Sequence, residues 1–373
     1  MKKLLCIAIL LTNLAWADTA INFMPLASHE IQPQLLTDSA GTAHLIFFKI
    51  EDPHQDHLQP DSGSLYYRAM APNADTWGAS VKISSNAFAR PDVISAARFA
   101  VDDNHRVHVT WFQSDTQQYF YTRSNLDATQ FENPRPIVKD FLDGVEAGSN
   151  IAVHGSDVTI TWAAGSIDKE YQRSVYSLRS TDGGEHFGSE MLLGDQSLGA
   201  CACCGFASRF IGDNLFVAYR TAVENKGRHM QLLRTENNKR ADTRLIHPWE
   251  INACPVSTNN FSDNTDSDTW LVFETEGDIY QYNVSQNTKP QRVNGLFQFI
   301  RQKHPDIAIN GKGERLIVWG EGRGYSSGGN LKLRLFDVDN RELTSLKMDN
   351  KVIAKFSAAA VTALADNSFL VVY

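Results

Sequence analysis

The sequence predicts an all-β chain folded as a β-propeller, a ring of four-stranded antiparallel blades. Two observations carry this expectation. A strand–turn–strand motif recurs seven times, and no amphipathic helical pattern interrupts the order. Each copy is a short strand, a turn holding Asp, Asn or Gly, and an apolar strand closing on an aromatic. The copies end at Phe47, Trp111, Trp162, Tyr219, Phe273, Trp319 and Tyr373, a spacing of roughly 46 to 64 residues. That is near the length of a four-stranded blade. Seven blades are favoured, with six as the alternative.

The outer strands lie between the copies. Leu65–Arg68, Tyr119–Thr122, Val175–Leu178, Met230–Leu233, Ile279–Tyr282 and Leu331–Leu335 read as third strands, and Val81–Ile83, Pro136–Val138 and Met191–Leu193 as fourth strands. The seventh copy stops after its second strand. Left open, that blade would expose an edge ready to pair with another chain. Ile21–Leu26 is expected to supply the missing strand and close the ring.

The N-terminus reads as a signal peptide over residues 1–17. Lys2-Lys3 are basic, Leu4–Leu14 are mainly apolar, and Ala15-Trp16-Ala17 is a small-x-small cleavage site. Cleavage before Asp18 and export to a periplasm or beyond are expected, leaving residues 18–373 as one domain. The apolar run is too short to span a bilayer, so no membrane span is expected. The net charge of −8 and the lack of a basic stripe exclude a general nucleic-acid binder. Oligomeric state is not encoded in any recognisable pattern.

The stretch from Val158 to Phe187 is the most specific fold signal. Its turn reads Ser180-x-Asp182-x-Gly184-x-x-Phe187. A short carboxylate can accept amides across such a loop, glycine tolerates positive φ, and the ring packs beneath. This pattern resembles the Asp-box of the bacterial neuraminidase (BNR) repeat in sialidase-like β-propellers, where it is a structural turn. Ser124–Phe131 and Met70–Trp77 are decayed versions of it.

In a propeller, the connections into the first strands share a face with those between second and third strands. Asp-box turns lie on the other face. This sorting gathers Cys201, Cys203 and Cys204, entering the fourth blade, with Trp249–Pro255, entering the fifth. Arg220, Arg228, Glu321, Arg323 and Tyr325 fall on the same face. Cys254 is brought near the C-x-C-C stretch by neighbouring inner strands. Cys6 would leave with the leader, so these four cysteines remain. Disulfides with Cys254 joined to one of the other three, a copper(I) or zinc thiolate site, and a redox-active thiol are the alternatives. His54, Asp56 and His57, in a long polar loop near Asp52, form a weaker metal candidate.

Cys201–Cys204, Tyr219-Arg220 and Trp249–Val256 together are similar to a bacterial group of exported BNR-repeat proteins labelled exo-sialidase-like. The wider resemblance implies an arginine clamp on a substrate carboxylate, a Tyr nucleophile assisted by Glu, and an Asp acid/base. A guanidinium fork suits a carboxylate. The family's first clamp arginine falls in Glu30-Ile31-Gln32-Pro33, where this chain has Ile31. No residue-by-residue match to the acid or nucleophile is found, which leaves Glu321 and Tyr325 as the reactive groups to consider. Arg98, Arg220, Arg301 and Arg323 offer an anion-binding cluster. Two functions follow as expectations. One is a propeller binding a glycan or other anionic ligand at its channel mouth through Arg220, Arg228, Trp249 and Arg323. The other is a metal-binding or thiol-redox protein using its cysteines on a propeller scaffold.

Overall fold

A computed structural model describes residues 19–52, 62–88, 93–113, 115–143, 148–166, 168–236, 239–263, 268–294, 300–322, 326–344 and 351–373. The expected leader, the His54–His57 loop, Arg323 and Tyr325 lie outside the described residues.

The chain is a seven-bladed β-propeller. A first strand, β1 (Ile21–Met24), precedes the blades. Blade one is β2 (Glu30–Thr37), β3 (Ala43–Asp52), β4 (Ser62–Met70) and β5 (Val81–Phe88). Blade two is β6 (Arg98–Val101), β7 (Val107–Gln113), β8 (Gln118–Arg123) and β9 (Arg135–Pro136). Blade three is β10 (Asn150–His154), β11 (Asp157–Ala164), β12 (Ser174–Ser180) and β13 (Met191–Leu192). Blade four is β14 (Ala207–Ile211), β15 (Asn214–Arg220), β16 (Met230–Glu236) and β17 (Lys239–His247). Blade five is β18 (Asn259–Phe261), β19 (Trp270–Thr275), β20 (Asp278–Asn283) and β21 (Gln291–Arg292). Blade six is β22 (Gln302–Ile309), β23 (Arg315–Glu321), β24 (Gly329–Phe336) and β25 (Glu342–Thr344), with β26 (Val352–Ile353) also on β24. Blade seven holds β27 (Ala360–Ala363) and β28 (Phe369–Val372).

The seventh blade departs from the four-stranded pattern. Its order is β27–β28–β1, and β1 runs parallel to β28, with Ile21 opposite Phe369 and Met24 opposite Val372. The N-terminal strand thus covers the edge that the last strand would expose. The inner strands β2, β6, β10, β14, β18, β22 and β27 touch in order, and β27 touches β2, which closes the ring.

The aromatic that ends each of the first six copies is a core residue, while Tyr373 is half-buried. Phe47, Trp111, Trp162, Tyr219, Phe273 and Trp319 are all essentially inaccessible to solvent. On four blades it faces a third-strand aromatic directly across the ladder: Phe47–Tyr66, Trp111–Phe120, Trp162–Tyr176 and Phe273–Tyr280. Their ring centroids lie 5.7 to 6.1 Å apart. Such pairs contribute about 0.5–1.5 kcal/mol beyond the area they bury. Four of the seven blades therefore share one packing solution, an aromatic pair set against the preceding blade of the ring.

The Asp-box turn after β12 is built by its side chains. The Ser180 hydroxyl donates to Asp182 Oδ1 at 2.7 Å and accepts the Gly184 amide at 2.9 Å. Asp182 accepts the His186 amide at 2.9 Å, and Phe187 meets Tyr121 of the preceding blade edge-on at 4.9 Å. Gly184 has φ +80°, and a Cβ there would overlap the Tyr121 hydroxyl. The two decayed copies keep the backbone closure of this turn. The amide after the aromatic bonds the carbonyl before the box at all three: Gly78 to Ala69, Glu132 to Arg123 and Gly188 to Arg179, at 2.8 to 3.0 Å.

Candidate functional site

Strand direction sorts the molecule into two ends. Inner strands start at the end where Cys201–Cys204 and Cys254 enter blades four and five, and they finish at the hairpin turns. The Asp-box turn lies with those hairpins, since the Gly183 amide bonds the Ser156 carbonyl. One end of the axis is thus a cysteine end and the other a turn end.

At the cysteine end, Cys203 and Cys254 form a disulfide, so Cys254 does join one of the other three. Cys203 is buried and Cys254 exposed. Cys201 and Cys204 are free and buried, with their sulfurs 2.7 Å apart, and Cys201 Sγ lies 3.6 Å from Cys203 Sγ. The sulfurs of Cys201, Cys203 and Cys204 all lie within 4.8 Å of one another, a cluster that could hold a metal ion. Ile94, from the connection into blade two, packs onto these cysteines together with Val256. Burial would raise the Cys204 thiol, but the Cys201 hydrogen bond, the Arg220 charge and the Ser257 amide and hydroxyl bring it down to about 7. Burial, and donation to Cys204, push Cys201 well above the usual thiol range.

Arg220 and Arg228 flank this cluster from within. Arg220 is 2% exposed. Its Nε donates to Ser257 Oγ at 2.6 Å, one Nη to the Arg228 carbonyl at 2.8 Å, and the other to the Glu274 carbonyl and to Thr275 Oγ1. The half-buried Trp249 ring lies 4.9 Å from its guanidinium carbon. Arg228 is equally buried and donates to Glu170 and, at 3.3 Å, to the Asn225 carbonyl. Trp249 is tied in through its amide, which donates to His229 Nδ1 at 3.1 Å. The chain therefore brings Arg220, Arg228, Trp249 and the cysteines together, and it spends the arginine donors mainly on its own loops.

Glu321 stands apart, at the end of β23. Its carboxylate accepts Gln302 Nε2 at 3.2 Å and Trp319 Nε1 at 3.4 Å, with Lys332 Nζ at 3.9 Å. Ile31, at the clamp position, is buried in the core between blades one and two. Arg301 is exposed. Sequence reasoning missed Glu170, Ser257, Glu274 and Lys303. Lys303 Nζ bridges the Pro255 carbonyl at 2.8 Å and Glu274 at 3.1 Å.

At the turn end the axis opens into a cavity of about 430 Å³, lined among others by Arg98, Asn150, His154, Asn260, Asp263 and Asp306. Toward the cysteine end it narrows to a void of about 20 Å³ that shares Arg98, Asn260 and Asp306 with it, so these residues form its floor. A repeated bulge builds that floor. Gln32-Pro33 in β2 and His304-Pro305 in β22 each insert one extra residue into the ladder, with φ +56° at Gln32 and +54° at His304. Gln34 and Asp306, the residues after each bulge, both line the cavity.

Arg98 is 8% exposed, and among the described residues its guanidinium has no hydrogen-bond partner. Burial lowers its pKa to about 10, against the favourable charge of Asp306. Asp306 is half-buried and accepts the Val361 and Ile307 amides at 2.9 and 3.0 Å. Burial, helped by the like charge of Asp263, pushes Asp306 up to about 7 despite those amides and Arg98. The floor thus offers a guanidinium with open donors beside a carboxyl that exchanges its proton near neutrality.

No protein family matches the sequence, and no curated protein does either. Solved structures with the same kind of fold do exist. The chain is similar to the fucose-binding lectin of the fungus Aleuria aurantia, a six-bladed β-propeller, at 9% identity and TM-score 0.53, over 88% of this chain and 96% of the lectin. It is similar to an α-L-arabinanase of Penicillium chrysogenum complexed with arabinobiose, at 8% identity and TM-score 0.50, over 84% and 95%. A leech intramolecular trans-sialidase aligns more distantly, at 10% identity and TM-score 0.44, over 92% and 64%. At these identities the likeness is one of fold, a ring of β-sheets, and in this chain the ring has seven blades rather than the six of the lectin.

Proposed function

We propose that this protein is an exported propeller that binds a small acidic saccharide in its axial cavity. The observation that carries the reading is Arg98, a buried arginine that lines the cavity and whose guanidinium has no hydrogen-bond partner among the described residues. A buried charge with open donors is costly unless a ligand completes it. A carboxylate can take both arms of the fork. Protonated Asp306 and Asn260 offer donors and acceptors for sugar hydroxyls. A cavity of this size lies within the range that holds small ligands. Sugar-binding neighbours of the same fold, a fucose lectin and an arabinanase, support a saccharide ligand, and the acidic character rests on Arg98 alone.

The test is calorimetry with N-acetylneuraminic acid, glucuronic acid and fucose on the wild type and Arg98→Ala. The reading expects an acidic sugar to bind and Arg98→Ala to weaken binding about 10- to 100-fold. Glu321 ends β23 at the other end of the axis and does not line this cavity, so catalysis through it would be a separate activity. Hydrolysis of aryl sialosides that is lost in Glu321→Gln would add it.

The cysteine end supports a second reading, favoured by three mutually close sulfurs, of which Cys201 and Cys204 are free thiols. It is a thiol-redox centre or a soft-metal site for copper(I) or zinc. Metal content of the purified protein, with a thiol count under denaturation, separates these.

A further inference from the structure

The cysteine end holds a dithiol and a disulfide in contact. Cys201-Ala202-Cys203-Cys204 contains a C-x-x-C pair, Cys201 and Cys204, whose sulfurs lie 2.7 Å apart. The cysteine between them, Cys203, is bonded to Cys254 and lies 3.6 Å from Cys201 Sγ. A purely structural staple needs no second dithiol against it. Sulfurs so placed bring the thiol Cys201 within reach of both the Cys203–Cys254 bond and Cys204.

We propose that these four cysteines form an internal thiol–disulfide exchange couple that moves two electrons between the buried Cys201/Cys204 pair and the Cys203–Cys254 pair, with Cys254 as the contact to an outside thiol. The proposal rests on the thiol reading of the cysteine end and is independent of any ligand in the axial cavity.

The steps balance without an added oxidant. Cys204, the more acidic thiol, loses its proton to water and takes up the Cys201 proton as Cys201 Sγ attacks Cys203 Sγ at 3.6 Å; the Cys201–Cys203 bond forms, and Cys254 leaves as a thiolate that takes a proton from water. Cys204 Sγ then attacks Cys201 Sγ and passes its proton to Cys203. The Cys201–Cys204 bond forms and Cys203 leaves as a thiol. The inner dithiol is oxidised by two electrons, the outer disulfide is reduced by two, and two protons pass from the first pair to the second. Arg220 and Arg228 place positive charge on the thiolates that arise. Ile94 and Val256 cover the inner pair, whereas Cys254 is exposed. An outside dithiol or disulfide would therefore enter at Cys254, and the inner pair would answer through Cys203. The partner class is a small thiol or a protein dithiol, recognised by access to one exposed sulfur.

The experiment is disulfide mapping of the folded wild type after equilibration in glutathione buffers of graded redox poise, with acid quench, alkylation and peptide analysis, alongside metal analysis of the same sample. The expected result is a single-disulfide population divided between Cys203–Cys254 and Cys201–Cys204, each isomer at a tenth of the protein or more. Cys201→Ser should leave Cys203–Cys254 as the sole bond, and Cys204→Ser should accumulate Cys201–Cys203 with a free Cys254. Three results would overturn the proposal. They are Cys203–Cys254 alone at every poise, two fixed disulfides that no glutathione buffer opens, and stoichiometric copper or zinc that blocks alkylation. Should either variant fail to fold, the wild-type map still decides.

Discussion

Arg220 and Glu274 occupy the same repeat position on neighbouring blades, one residue past the aromatic that closes the second strand, and the Arg220 guanidinium donates to the Glu274 carbonyl. Elsewhere that position holds Phe48, Phe112, Ala163 and Gly320. Two charged residues at a site otherwise filled by apolar or small ones pin blade four to blade five beneath the cysteine loops. The Glu274 side chain continues the link to blade six through Lys303.

Removing that pin should be costly. Arg220→Ala strands the Glu274 and Arg228 carbonyls and the Ser257 and Thr275 hydroxyls in a buried site. A loss of about 3 kcal/mol is expected, in the range for breaking a buried charged network. Arg220→Lys should recover only part of it, because an ammonium lacks the fork. Chemical denaturation measures both. Neither variant should alter ligand affinity in the axial cavity, whose floor does not include Arg220.

The Asp-box predicts a smaller effect. Ser180 is buried, and its hydroxyl serves both Asp182 and the Gly184 amide. Ser180→Ala should cost about 1–2 kcal/mol, the penalty for an unsatisfied buried amide. Gly184→Ala should cost more, since its Cβ meets the Tyr121 hydroxyl and φ is positive. Thermal unfolding gives the order.

Closure of the ring is testable at the N-terminus. β1 covers the β28 edge, and Ile21 and Phe23 pack on the core of blades six and seven. A chain starting after Leu26 should unfold several degrees lower and aggregate in a concentration-dependent way, because an unpaired edge templates pairing. Light scattering across a dilution series would show it. Unchanged melting and monodispersity would contradict the role given to β1.

Much of this fold was legible in the sequence, because each blade repeats an aromatic at one position and Trp162 or Phe273 announces its strand directly. The nearness of Cys254 to Cys203 followed from adjacent inner strands. The site was less legible. Periodicity shows that Arg220 and Arg228 reach one end of the ring, but not that carbonyls from the next loops consume their donors. The comparison that points to Arg220 and Glu274 is between copies at a fixed position, not along the chain. The bulges at Gln32-Pro33 and His304-Pro305, which bring Gln34 and Asp306 to the cavity, show only as two residue-Pro pairs in inner strands. Proline there is compatible with a bulge and equally with an edge strand.

Asp306 gives the account a pH signature. Its carboxyl titrates near 7 in the folded protein, well above the ordinary carboxylate range. Below about pH 4 both folded and unfolded chains hold the proton, so the group is neutral to stability. Between there and 7 the folded chain keeps a proton that the unfolded chain releases. Its contribution therefore falls as pH rises through that window and levels off above it. Asp306→Asn should flatten this slope in a pH series of melting temperatures. Deprotonation also sets a negative charge beside Arg98, so affinity for an acidic sugar should decline as pH rises through about 7.

The central claim is that ligand binding belongs to the axial cavity and depends on Arg98. Titration calorimetry of wild type, Arg98→Ala and Trp249→Ala with N-acetylneuraminic and glucuronic acids tests it most directly. The account predicts binding to the wild type, a loss of about 10- to 100-fold in Arg98→Ala, as for a charge-assisted hydrogen bond, and little change in Trp249→Ala. Equal affinity in wild type and Arg98→Ala, or loss confined to Trp249→Ala, would contradict it.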